Sequence, residues 1–107
     1  MLREPFETKS AFTSTTGVFL QGGSPTMKQM NVIIDGVSQA GIGTVLIQIL
    51  EPAGVQWLTP TTPNYTFSVT AATCFLVQIF GPFVNNGVRL NCSVFTSGFI
   101  RASMYYV

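Results

Sequence analysis

Few side chains in this chain of 107 residues could carry out catalysis. The sequence contains no histidine, which excludes a His-based catalytic triad and a His-ligated metal. Its four carboxylates are Glu4 and Glu7 near the N-terminus and Asp35 and Glu51 in turn sequences. Acid–base catalysis would require Asp35 and Glu51 to converge, and their spacing does not predict this. We therefore predict that the protein is not an enzyme and has no cofactor or metal.

The two cysteines, Cys74 and Cys92, both fall inside strand-like sequences. Two thiols without a histidine do not make an ordinary zinc site. They could be buried free thiols, which pack as small apolar groups, or they could form a disulfide within or between subunits. Because neither lies in the N-terminal segment, we expect that they do not hold an assembly together.

Charge and aromatic content limit the possible partners. The net charge is +1, and only five basic residues accompany nine Phe, three Tyr and one Trp. This balance predicts neither nucleic-acid binding nor membrane-surface binding. No apolar run reaches the ~18 residues of a transmembrane helix, and the first ten residues lack the apolar core of a signal peptide. A sugar site at Trp57, the only tryptophan, remains an alternative to its packing in a core or interface.

The segments that would position these residues read as short strands separated by Gly and Pro turns. Residues 64–70 alternate, with Tyr65, Phe67 and Val69 on one face, and residues 88–95 alternate with Val88, Leu90, Cys92 and Val94 inward. Strand-like segments recur every 8–12 residues. They predict an all-β fold, an antiparallel β-sandwich or jelly roll of seven or eight strands, with no helix longer than one turn. Asn85-Asn86-Gly87 predicts a hairpin between the strands on either side of it.

The long segment from Gly43 to Phe80 contains a single charged residue, Glu51. Charged residues are 8% of the whole chain, against about 25% in ordinary globular proteins. Residues 43–50 and 74–80 are apolar on both faces, which predicts burial on both sides. We expect a surface that another subunit covers.

We predict that residues 1–22 form an N-terminal arm and that residues 23–107 form the β-sandwich domain. The arm would leave its own subunit at a hinge formed by Gly22 and Gly23, because glycine tolerates unusual backbone angles. Its apolar side chains would fill pockets on a neighbouring subunit. These side chains are Leu2, Phe6, Phe12, Val18 and Leu20. The alternative is an arm folded back on its own domain.

Three segments resemble the subunits of bacterial endospore appendage (Ena) fibres. These are GIGTVLIQILEPAG from Gly41, PNYTFSVTAATCFLVQIFG from Pro63 and SGFIRASMYYV at the C-terminus, preceded by a Gly-rich connector. The resemblance covers about 60 residues by pattern. It implies an eight-stranded jelly roll whose connector docks into a neighbouring subunit of a fibre. Covalently linked members of the family have cysteines in the connector, and residues 1–26 here have none, so it implies non-covalent docking.

Together these observations favour a structural subunit that assembles head-to-tail into an extracellular filament on a spore surface. Such a subunit would have copies of itself as partners, and an anchoring protein at the spore or cell surface. Assembly would then need no cleaved signal peptide. A phage virion component, such as a decoration or tail-fibre domain, is the first alternative. A carbohydrate-binding module that uses Trp57 is the second.

Overall fold

The structure is a computed structural model that describes residues 6–81 and 83–106, with side chains described from Lys9 onward. It contains nine strands and one helical turn within those residues. The elements are β1 (Phe6–Thr13), β2 (Gly17–Gly22), β3 (Gln29–Asp35), β4 (Ile42–Leu50), β5 (Trp57–Leu58), β6 (Thr66–Val69), β7 (Cys74–Phe80), α1 (Phe83–Asn86), β8 (Val88–Ser97) and β9 (Ile100–Tyr106).

The strands form two antiparallel sheets packed face to face. The four-stranded sheet has the order β1-β9-β3-β7, and the five-stranded sheet has the order β2-β8-β4-β5 with β6 also paired to β4. If β5 and β6 are counted as two segments of one strand, this order is that of a jelly roll. The predicted all-β sandwich is confirmed. With β5 and β6 counted separately, the described residues form nine strands, and the one that the sequence did not predict is β1, which it assigned to the arm.

The core lies between the sheets and follows the period-2 alternation of the strands. In β3 and β4 every second residue is buried, and the intervening residues are only partly exposed. Tyr65 and Val69 are buried and Phe67 packs against the core, as the alternation of residues 64–70 predicts. The largest fully buried side chains come from both sheets. They include Met30, Ile34, Ile47, Ile79, Leu90, Ile100, Met104 and Tyr106.

The predicted hairpin at residues 85–87 is wrong, because β7 and β8 belong to different sheets. The turn α1 carries the chain from one sheet to the other. The side-chain amide of Asn85 donates hydrogen bonds of 2.8 Å to the carbonyl oxygens of both Ser24 and Met27. Asn85 therefore holds the loop between β2 and β3 in place and does not form a two-residue hairpin turn.

The prediction that Val94 points inward is also wrong, although Val88, Leu90 and Cys92 are buried as predicted. Val45 pairs with Cys92 and the preceding Thr44 pairs with Val94, so Ser93 is an extra residue in β8. A bulge of this kind inverts the alternation beyond it. Val94 consequently lies on the outer face and is exposed.

Candidate interaction surface

The N-terminal segment is part of the domain, which corrects both the predicted arm and the predicted boundary after residue 22. Strand β1 pairs with β9 and β2 pairs with β8 within the same chain. Leu20 is buried in the core, whereas Phe12 and Val18 are exposed. Leu2 and the side chain of Phe6 lie outside the described residues. Each of these two strands thus pairs on one side with a strand of its own subunit, which is the alternative that the sequence left open.

Gly22 and Gly23 do not form a hinge. The hydroxyl of Tyr106 accepts a hydrogen bond from the Gly23 N–H at 2.7 Å and donates one to the Gly23 carbonyl oxygen at 2.9 Å. A Cβ atom on Gly22 would lie 2.9 Å from the Tyr106 hydroxyl and 3.1 Å from the Met104 sulfur. Gly23 has a φ of +144°. These glycines allow close packing against β9 and a positive φ, and they fasten the segment in place.

The cysteines are both free, and they differ in environment. Cys74 is exposed on β7, and Cys92 is buried on β8 of the other sheet. The two thiols therefore do not form the Cys74–Cys92 bridge, and only one of them is buried. The Cys92 thiol contacts the Val94 carbonyl oxygen at 3.3 Å, and burial raises the pKa of this thiol.

Among the described residues, strand β7 is an edge of the four-stranded sheet and pairs with β3 alone. At its two ends, Gly36 N–H donates to the Thr73 carbonyl and Gly81 N–H donates to the Lys28 carbonyl. The β3–β7 register between these bonds has no shift. In an antiparallel ladder the bonded residues alternate, so every second residue of β7 points its backbone N–H and C=O away from β3. These outward residues are Cys74, Leu76, Gln78 and Phe80.

The outer face of the four-stranded sheet is weakly polar where it reaches β7. Cross-strand neighbours there form the rows Phe12–Arg101–Asp35–Cys74, Ser10–Ser103–Ile33–Leu76, Tyr105–Asn31–Gln78 and Gln29–Phe80. Arg101 and Asp35 are the only charged residues in these rows, and they are paired. Leu76 is 64% exposed and Phe80 is 55% exposed. The β7 side chains were predicted to be buried on both faces, and in the described subunit this outer face is open.

The outer face of the five-stranded sheet holds Trp57 in a different setting. The Arg89 guanidinium lies 4.5 Å from the centre of the Trp57 ring. Arg89 also donates through Nε to the side-chain oxygen Oε1 of Gln48 at 2.8 Å, and Nε2 of Gln48 donates to the Thr59 hydroxyl at 3.3 Å. The cation covers a ring face that a sugar would otherwise stack on. The polar groups of Arg89 and Gln48 therefore already have partners within this patch.

A cleft of about 430 Å³ lies beside this patch, between the end of β4, β5 and α1. Its lining includes Leu50, Glu51, Leu58, Pro60 and Phe83. The volume suits a small ligand, but binding sites for such ligands also bring several polar groups together. Of the described residues in the lining, Glu51 alone is ionisable. The cleft therefore does not assemble a catalytic group of residues.

The described residues contain neither a candidate metal centre nor a membrane-spanning helix. Among residues 6–81 and 83–106, no group of three or more His, Cys, Asp or Glu side chains could hold a metal ion. In the same part of the chain no helix is long and apolar enough to cross a membrane.

Comparison with known proteins identifies the fold and no family. No family model matches the chain, and no curated protein matches it. Among solved structures, the SPBc2 prophage-derived protein YomS is similar with a TM-score of 0.60 at 13% identity, over 100% of this chain and 98% of that chain. PirA is similar with a TM-score of 0.50 at 15% identity, over 98% of this chain and 97% of that chain. At these identities the likeness shows a shared fold alone.

Sequence reasoning missed the two features that most affect the surface. It did not predict the contact of Arg89 with Trp57 and Gln48, because those residues lie on three strands whose pairing is not local. It also did not place β7 at an edge, because an apolar edge strand and a buried central strand have the same composition. One usable signal was present: residues 74–80 lack any charge, proline or glycine.

Proposed function

We propose that this chain is a non-enzymatic structural subunit that self-assembles, and that its assembly forms an extracellular filament of the endospore-appendage kind. The observation that supports this most directly is the uncharged outer surface of β7, with Leu76 and Phe80 more than half exposed. Large apolar side chains grouped on a surface mark interaction sites. Docking through an exchanged N-terminal arm is not part of the proposal, because β1 and β2 are strands of their own domain.

Covering this surface with a second copy would contribute a favourable free energy of association. Full burial of an exposed Leu or Phe side chain stabilises by roughly 1.5–3 kcal/mol. Because Leu76 is 64% exposed and Phe80 is 55% exposed, burying the rest of both would supply about 2–4 kcal/mol per copy before the costs of association. Repeated contacts in a fibre add to one another without any covalent link. Arg101 and Asp35 are cross-strand neighbours of opposite charge, so together they add no net charge that would oppose a second copy.

The test compares association of the wild-type chain with that of two lysine variants. We expect sedimentation and electron microscopy to show oligomers or filaments for the wild type. Leu76→Lys, which places a charge on the apolar surface, should remain folded and shift the chain to monomers. Ser68→Lys adds the same charge to an exposed position on the other sheet and should leave assembly unchanged. A wild-type chain that is monomeric at high concentration would refute the proposal.

A phage virion component is the second candidate, and the observation that favours it is the likeness to a prophage-derived protein over the whole chain. A decoration or tail-fibre domain would also self-associate, so the association assay does not separate the two. The genes that surround the coding sequence would do so, since virion genes are clustered with other virion genes.

A further inference from the structure

The four edges of the two sheets differ in how they are protected from pairing with another strand. Strand β1 contains Glu7 and Lys9 and has a register shift between Phe6 and Lys9, and β2 is bulged between Val18 and Leu20. At the opposite edge of the five-stranded sheet, β5 and β6 have two and four residues and are separated by prolines. Charges, bulges, prolines and short length all discourage edge-to-edge pairing. Strand β7 has none of these features over its seven residues.

We propose that two copies of this chain join through their β7 strands, which pair antiparallel about a two-fold axis at Val77. This inference rests on the proposed self-assembly and specifies its first contact. The outward N–H and C=O groups belong to even-numbered residues, so an axis at residue 77 sets Cys74 opposite Phe80 and Leu76 opposite Gln78 of the other copy. Each such pair exchanges two hydrogen bonds, which gives about eight bonds across the joint.

A second copy fits this edge because the edge is complementary to itself. The register with the two-fold axis at Val77 pairs every outward group, and neither strand brings a charge that would meet a like charge. The exposed Leu76 and Phe80 lie beside Gln78 and Cys74 of the other copy. Cross-strand contacts of this kind add to the backbone bonds.

The joint has a consequence for further assembly. It would merge two four-stranded sheets into one eight-stranded sheet, and the outer faces of both copies, with Leu76 and Phe80, would become continuous. A closed two-fold pair cannot extend by itself. The merged outer face would then supply the second contact that a filament needs.

Proline at residue 78 tests the backbone pairing. Because the Gln78 N–H points away from β3, Gln78→Pro removes an outward donor and leaves the β3–β7 ladder intact. The matched control Gln78→Thr keeps the N–H and shortens the side chain. In a sedimentation series we expect Gln78→Pro to raise the dimer dissociation constant about ten- to hundredfold, since the symmetric joint loses a bond at two places. The Thr variant should stay near wild type.

A crosslink tests the register independently, in case the proline variant fails to fold. The two copies of residue 77 form a non-hydrogen-bonded pair at the axis, with Cα atoms about 4.5 Å apart. Val77→Cys in a Cys74→Ser background should therefore form a disulfide-linked dimer on mild oxidation. The Cys74→Ser variant alone should not, because its remaining thiol, Cys92, is buried. In the wild type the two Cys74 residues would be about 20 Å apart along the strands and should not crosslink.

The outcomes separate this inference from the proposed function. If the wild type associates but Gln78→Pro, shown to be folded by circular dichroism, associates equally well, the β7 joint is wrong and self-assembly stands. Failure of the Val77→Cys crosslink in an associating chain, or a rapid Cys74 crosslink in the wild type, would also overturn the joint. A wild type that does not associate at all overturns both proposals.

Discussion

The two edges of the four-stranded sheet, β1 and β7, meet solvent in different ways. Strand β1 carries charged residues and a bulge, and its Lys9 ammonium donates a hydrogen bond to the Gln21 carbonyl oxygen at 3.4 Å, which ties this edge to β2 of the other sheet. Strand β7 has a regular register, no charge and exposed apolar side chains. The polar N-terminal segment therefore completes the domain, while the apolar segment in the middle of the chain is left available for contact.

Removal of residues 1–22 tests the first half of the comparison and should have the largest effect. The deletion takes β1 from one sheet and β2 from the other, and with them the buried Leu20. We expect this loss to exceed the roughly 5–15 kcal/mol by which ordinary domains are stable, so the shortened chain should not fold. Circular dichroism and thermal unfolding measure this. A cooperative unfolding transition in the shortened chain would restore the idea of a separable arm.

Tyr106→Phe should weaken the attachment of the β2–β3 loop to β9. The variant removes one hydroxyl that both accepts from and donates to Gly23, so two part-buried backbone groups lose their partner. We expect a loss of about 1–3 kcal/mol in the free energy of unfolding, measured in urea. Tyr105→Phe is the matched control, because that ring lies on the opposite face of β9, and its effect should be smaller. Equal losses of stability in the two variants would contradict a stabilising role for the Tyr106–Gly23 hydrogen bonds.

The sequence predicted those parts of the fold that depend on local alternation. The inward positions of Tyr65, Phe67 and Val69 follow from period 2 alone, and the structure confirms them. Strand partners depend on contacts far apart in the chain, which is why the hairpin between β7 and β8 was wrongly predicted. A single extra residue, Ser93, was enough to invert Val94. Hydrophobicity could not show that β7 has β3 on one side only, because its composition is the same in either position.

The two cysteine thiols should react at different rates, because one lies at the open edge and the other in the core. Cys74 lies exposed on β7, while Cys92 is buried with a raised pKa and so stays largely as the unreactive thiol at neutral pH. We expect a thiol reagent to label one cysteine rapidly in the native protein and the second only after unfolding. Cys74→Ser should abolish the rapid reaction and leave stability nearly unchanged. Two rapid reactions in the folded wild type would contradict the burial of Cys92.

Replacing Asp35, the cross-strand neighbour of Cys74, should have the smallest effect on the free energy of unfolding, and this effect should depend on pH. Partial burial raises the pKa of Asp35, but the Ser38 hydroxyl, the N–H groups of Val37 and Ser38, and the Arg101 charge together hold it below its ordinary value of 3.8. The Val37 N–H lies 2.7 Å from the carboxylate. A lowered pKa stabilises the folded state at pH values above 3.8, and this contribution is lost as pH falls through the folded pKa.

Asp35→Asn should therefore reduce the loss of stability between about pH 5 and pH 2, by less than about 1 kcal/mol because the site is largely open to solvent. Unfolding in urea across that range measures the difference between the two pH slopes. Arg101→Gln should change the slope less than Asp35→Asn does, because its charge is the smallest contribution to the pKa of Asp35. If Asp35→Asn left the slope unchanged, the turn after β3 would not depend on the carboxylate.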